Sequence, residues 1–236
     1  MRNEARLMKS ELVEARNYMQ LYRVFMNAYT DIRRKCEDNK IKFLLKPGKS
    51  KEKDGEANGY FDGESLVVFY GDKLCTVDNI LTLLHESCHL DQMLENSQYW
   101  TDCFIEGNDV ANLLELMENG IVDLSEDKKI NYVKRIVNCE VDADRRTVKK
   151  ILKYGFHRFT SVKEYVRIAN AYQMEYWFYA HYERWLPADD RPYEDPQVLK
   201  YMPASPFLTA NESLVFFNKM GNDGLRRILY LKVFGD

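Results

Sequence analysis

The chain has 236 residues, 45% of them hydrophobic and 30% charged, and carries a formal net charge of −3. This length buries a substantial core as one large domain or two small ones, and the composition is that of a folded globular protein. The slight negative charge excludes a global basic field of the kind that gathers nucleic acid, and no window approaches the roughly 20 apolar residues of a membrane span.

Five cysteines without paired spacing lead us to expect a reducing compartment, the cytoplasm, including that of a phage-infected bacterium. The first six residues run into an amphipathic pattern with no apolar signal core. Leu7, Leu12, Ala15, Met19, Tyr22, Met26 and Tyr29 recur at helical spacing, so residues 4–38 are expected to be a helix. Residues 41–45 are a strand candidate, and 46–58 alternate lysine with glutamate and aspartate as a solvated loop would. Residues 59–65 have the look of a strand end and turn, followed by the strongly β-prone run 66–70.

The segment from Thr76 to Leu84 leads into His85-Glu86-Ser87-Cys88-His89. Thr76 or Asp78 supplies a cap for a helix whose apolar stripe is Ile80, Leu81, Leu84 and Cys88. Histidines four residues apart stand one above the other on one helical face, about 6 Å apart, and can hold one metal ion. Glu86 projects beside them, where it can take a proton from water held by that ion. Cys88 is better read as a small packing residue than as a further ligand, because three ligands from one turn crowd a tetrahedral ion. Ser87 has no separate base to make it a nucleophile.

This helix is expected to continue to Gln98, with a further helix over 104–119 that turns Val110, Leu113, Leu114 and Met117 inward. Ser125 starts a long helix reaching about Tyr154 and closed by Gly155. An aromatic-rich helix follows over about 162–186. Five of the six prolines lie in 187–206, so that stretch is an irregular segment or crossover. A last helix covers about 211–220, and 225–234 is an element of unassigned type. The run from Tyr172 to Tyr179 is read as the core of this C-terminal layer, against an alternative as an aromatic surface for a partner.

Two histidines leave a zinc ion short of its usual three protein ligands. Glu95 is the nearest candidate, but six residues along a continuous helix turn it about 240° from His89. The long helix after Ser125 offers a better one. Its inward stripe reads Ile130, Val133, Val137, Glu140, Asp144, Val148 (or Thr147), Ile151. Two consecutive core positions are carboxylates, and a buried carboxylate without a partner costs several kcal/mol. A metal with its histidines would neutralise Glu140, and Asp144 one turn on could accept the second ring N–H of a ligating histidine. A buried salt bridge to a distant lysine or arginine is the competing reading. Arg145 and Arg146 point off the stripe, and Asp142 is expected to be solvated.

With these two pieces on separate helices the chain resembles the zincin metallopeptidases, and among them the gluzincin pattern of His-Glu-x-x-His followed by Glu-x-x-x-Asp. Here the second piece is Glu140-Val141-Asp142-Ala143-Asp144, with Cys139 where the thermolysin-like version has asparagine. The resemblance covers about residues 59–150. It implies zinc held by His85, His89 and Glu140, with Glu86 as general base and Asp144 behind a ligand histidine. It also implies a protein or peptide substrate, and the strand before the active-site helix is read either as the sheet edge along which substrate pairs or as an ordinary core strand. The oxyanion-stabilising donor is open. His181 is one candidate, against a plain core or surface role, and Tyr172, Tyr176 and Tyr179 are others.

The expected fold is α+β and predominantly helical: a small mixed or antiparallel sheet beside the active-site helix, a minimal zincin core, and extra C-terminal helices. The expected division is 1–155 for the catalytic core and 156–236 for a helical extension packed on it, or else one domain over 1–236. The expected function is zinc-dependent peptide-bond hydrolysis. The alternative is a binding or regulatory protein on the same scaffold that recognises a partner without turnover. Nothing favours a membrane or nucleic acid as partner, and the oligomeric state and substrate stay open.

Overall fold

The helix that carries Glu140 and Asp144 is the one around which the others pack. The structure, a computed structural model, describes residues 2–48, 58–105, 107–186 and 191–220, with side chains from residue 15 onward. The expected terminal element at 225–234 and most of the 46–58 loop lie outside the described residues.

Helix α1 (Arg2–Asp38) leads into strand β1 (Lys42–Pro47). Strands β2 (Gly59–Phe61) and β3 (Ser65–Tyr70) follow, joined by a turn in which Asp62 Oδ1 accepts the amides of Glu64 and Ser65. The sheet order is β1-β3-β2, with β1 parallel and β2 antiparallel to β3, so the sheet is mixed. β3 is central, and Leu66, Val67 and Val68 are all buried, as suits a strand covered on both faces. The edge strands are therefore β1 and β2, and the run 66–70 lies in the middle, as an ordinary core strand rather than as the sheet edge.

Helix α2 (Val77–Leu94) carries both histidines. Thr76 caps it, its hydroxyl accepting the amide of Asn79. Ile80, Leu83, Leu84 and Leu90 are buried against α1 and the sheet. Each such side chain contributes about 1.5–3 kcal/mol by leaving water. The helix stops at Leu94 rather than running to Gln98: Asn96 takes a left-handed φ of 49° and a short helix, α3 (Gln98–Thr101), begins after it. The expected helix over 104–119 is also shorter. A two-strand hairpin, β4 (Phe104–Ile105) and β5 (Asn108–Asp109), precedes helix α4 (Val110–Glu118), whose cap is the Asp109 carboxylate accepting the Ala111 amide. Asp109 favours this geometry because its side chain takes over a backbone hydrogen bond that the helix would otherwise have to supply.

Helix α5 (Glu126–Lys153) runs as expected from Ser125 to Gly155, where φ is 76°. Helices α2, α3, α4, α6 (Val162–Tyr182) and α8 (Ala210–Met220) all pack on it. A short helix α7 (Pro196–Tyr201) lies within the proline-rich stretch, with Asp195 as its cap. α6 ends at Tyr182, four residues early, where Glu183 adopts φ 56° and its carboxylate meets Lys129. The described residues thus give a predominantly helical α+β fold of eight α-helices and two small sheets. One core cluster joins α1, the sheet and α2; a second joins α4, α7 and α8. Residues of α5 and α6 belong to both. No described helix is long and apolar enough to cross a membrane, and all five cysteines are free thiols.

Candidate metal centre

α2 and α5 lie against each other, and their facing stripes bring His85, His89 and Glu140 together. The His85 and His89 Nε2 atoms are 3.2 Å apart. Glu140 Oε2 is 3.2 Å from His85 Nε2, and its Oε1 is 3.7 Å from His89 Nε2. Ligands at the usual 2.0–2.1 Å from a tetrahedral zinc ion stand about 3.3–3.4 Å from one another. The three groups therefore already have the mutual spacing of a metal's ligand set.

The hydrogen bonds behind the histidines decide what the cluster can hold. His85 Nδ1 lies 3.2 Å from Asp144 Oδ1, and a carboxylate oxygen accepts, so Nδ1 is the donor. His89 Nδ1 lies 2.9 Å from Gln92 Oε1. The Gln92 amide nitrogen donates to the Cys139 carbonyl and to Asp142 Oδ2, each at 2.9 Å, which fixes its oxygen toward His89. With the proton of each neutral ring on Nδ1, both Nε2 atoms offer lone pairs that converge with a carboxylate; without metal, a proton on Nε2 takes the place of the ion. Three acceptors this close repel unless a cation stands between them. The donor set of two imidazoles and one carboxylate fits zinc and other divalent ions of similar preference.

Asp144 is itself held. Tyr165 donates its hydroxyl to Oδ1 at 3.0 Å and Gln173 its amide to Oδ2 at 3.1 Å, both from α6. The partners of Glu140 and Asp144 are histidines, a tyrosine and an amide; neither has a lysine or arginine partner among the described residues, which answers the salt-bridge alternative. Asp144→Asn is expected to weaken metal binding about 10–100-fold, read by competition with a chromophoric chelator.

The charges respond as this geometry requires. Burial would push the His85 imidazole down, but Asp144 and Glu140 outweigh it and hold it well above its ordinary value of 6.5. His89 is raised too, the charge of Glu140 again outweighing burial. Burial would raise Glu140, yet His89 and His85 hold it far below the usual carboxylate range. In metal-free protein the charged cluster stabilises the fold fully between about pH 4.5 and pH 6.5; the share of Glu140 is lost as pH falls below that window, and the share of the histidines as pH rises through their raised values. Metal-free protein should therefore lose thermal stability toward alkaline pH relative to metal-loaded protein, and metal affinity should climb over the same interval. Parallel unfolding curves across that range check both.

Glu86 sits between α2 and β2. A Cβ on Gly59 would stand 2.7 Å from Thr82, 2.8 Å from the Val67 carbonyl and 3.2 Å from Glu86 Cγ, so the glycine lets the edge strand lie directly on the helix at the level of Glu86. The Glu86 carboxyl is half-buried and makes no hydrogen bond or ion pair with a described residue. Burial raises its pKa, against the pull of both histidines.

The other candidates fall elsewhere. Glu95 caps the end of α2, 58% exposed, and pairs with Arg146 at 2.7 Å. His181 is exposed near the end of α6, against the rings of Tyr182 and Phe217. It lies nine residues past Tyr172, about 180° around the helix, so the structure does not bring it to the cluster. His157, the remaining one of the four histidines, is exposed on a 3-10 turn. Tyr179 is buried, stacked on Trp185, and its hydroxyl donates to the Leu114 carbonyl. Tyr172 and Tyr176 are half-buried with hydroxyls 2.8 Å apart. Burial raises both, and the negative charge of Glu140 raises them further. Cys88 is a packing residue, donating to the Leu84 carbonyl. Asp142, expected in solvent, is drawn in: besides Gln92 it accepts Arg146 Nε at 2.6 Å, because α5 is covered on more than one side.

Three contributors escaped the sequence reading. Gln92 stands one turn past His89, a polar residue on a buried face, and that anomaly was its only signal. Tyr165 and Gln173 are spaced eight residues apart on α6, and nothing in sequence ties them to Asp144. The chain matches no protein-family model, no curated protein and no solved structure.

Proposed function

We propose that this chain is a zinc-dependent peptide-bond hydrolase of the zincin, gluzincin-like type, with Glu86 as its general base. The observation that carries the reading is Glu86 itself: a carboxylate with no hydrogen bond or ion pair to a described residue, set beside a cluster of two histidines and one glutamate. Structural zinc sites close with four protein ligands, whereas three leave a position open for chemistry. A partner-binding protein on the same scaffold has no use for a base there.

His85, His89 and Glu140 would hold the ion, which when bound supplies Lewis acidity and lowers the pKa of water to about 7. Glu86 accepts the proton of the attacking water and delivers it to the leaving amine; its raised pKa matches that task. Asp144 and Gln92 keep the two imidazoles in the ligating tautomer. Tyr172 and Tyr176 stay protonated and are suited to donate to the oxyanion. β2 is the edge strand beside Glu86, and an extended peptide can add to such an edge through main-chain hydrogen bonds.

The test is direct. Purified protein reconstituted with zinc should bind about one ion per chain and cleave members of a random peptide mixture followed by mass spectrometry. A chelator should abolish cleavage and added zinc restore it. Stoichiometric zinc without any metal-dependent cleavage would overturn hydrolysis; the absence of zinc binding would overturn the site as well.

A further inference from the structure

On the reverse side of α2 from the histidines, between α1 and α5, lies a cleft of about 410 Å³. Four cations line it, Arg34, Lys35, Lys150 and Lys153, against two carboxylates, Asp31 and Asp91. The cleft therefore carries an excess of two positive charges in a chain whose net charge is −3. Asp91 forms the fixed point. Its Oδ1 receives Lys35 at 2.5 Å and its Oδ2 receives Lys150 at 2.8 Å. Lys150 also donates to Ser87 Oγ at 2.6 Å, and Ser87 in turn donates to the Leu84 carbonyl.

We infer that this cleft is an anion site for a phosphate group, distinct from the metal centre. One carboxylate, with an oxygen given to each lysine, holds two ammonium groups at fixed separation and neutralises only one of them. Lys150 is 16% exposed, so its position is set by packing and its ammonium need not be ordered when a ligand arrives. Each ammonium has three donors, and Lys150 spends two on Ser87 and Asp91. Arg34 makes no ion pair among the described residues, and Lys153 lies 4.6 Å over the Tyr154 ring, 3.6 Å from Asp31. Leu90 and Tyr154 add apolar wall, and poorly hydrated walls strengthen the attraction between a phosphate and these cations. The volume exceeds one phosphate and accommodates a small body attached to it.

The competing account is a purely structural ion-pair cluster that ties α1 and α5 to α2. Calorimetric titration of the zinc-loaded full chain with inorganic phosphate, at ionic strength held constant with potassium chloride, separates the two. We expect saturable binding of one phosphate per chain. Arg34→Met and Lys153→Met, both at exposed rim positions outside the buried pairs, should each weaken it about tenfold. Phenyl phosphate is titrated in parallel: tighter binding identifies a phosphate monoester as the ligand, and equal binding identifies free phosphate. Heats that do not saturate, or that are unchanged in both variants, overturn the proposal. So does binding that disappears when zinc is stripped, because it would place the phosphate at the metal centre.

Discussion

Glu86→Gln should retain the metal and lower kcat by about 10²–10⁴-fold, the range a positioned general base contributes. The substitution keeps size and shape, so the packing of Glu86 under Gly59 and beside Thr82 is preserved. Only the capacity to accept a proton is lost. Neither His85, His89 nor Glu140 depends on Glu86 for a hydrogen bond, so the ligand set stays intact and KM should move little. Metal content by mass spectrometry and steady-state rates on any peptide that the wild type cleaves measure the two halves separately. Undiminished turnover with a full complement of metal would remove Glu86 from the mechanism.

Glu140→Gln and Glu95→Gln should part sharply. Glu140 faces both histidines with its two oxygens; replacing it removes the anionic ligand and leaves an amide among lone pairs. Metal affinity should fall by more than the roughly 10–100-fold that the loss of a supporting residue brings. Glu95 is exposed and, among the described residues, paired only with Arg146. An ion pair of this kind is worth about 0–1 kcal/mol, so Glu95→Gln should bind metal as the wild type does. Equilibrium competition against a chelator reads both variants on one scale. The reverse outcome, with metal lost on changing Glu95 and kept on changing Glu140, would mean that α2 alone builds the site.

What could be read from the residues follows the reach of each signal. The His85–His89 pair lies within one helical turn, where spacing alone fixes geometry. Glu140 and Asp144 were legible because an amphipathic stripe makes a buried charge conspicuous, and their burial demands a partner. The same logic stopped short at α2, where Gln92 is as anomalous as Asp144 but is uncharged, so its cost is smaller and its signal weaker. Helix ends were misplaced at Leu94 and Tyr182 because Asn96 and Glu183, not glycines, take the left-handed turn. The hairpin before α4 was missed because strands of two residues carry no period. Which strand lies at the edge was not legible at all, since β3 is hydrophobic enough for either place and pairing order is a property of the whole sheet. Asp142 was misjudged on the assumption that α5 has one dry side; a helix packed by several neighbours has more than one.

The position of α5 in both core clusters would give a metal held by His85, His89 and Glu140 a mechanical part to play. His85 and Glu140 are 55 residues apart in sequence, so an ion that joins them closes a long loop and acts as a reversible cross-link between the sheet-bearing half of the molecule and the helical half. The free energy of that link grows with the logarithm of free metal concentration, reaching about 4 kcal/mol at a thousandfold excess of metal over Kd. Resistance to proteolysis and slow amide exchange in α2 and α5 would then rise and fall together with metal supply.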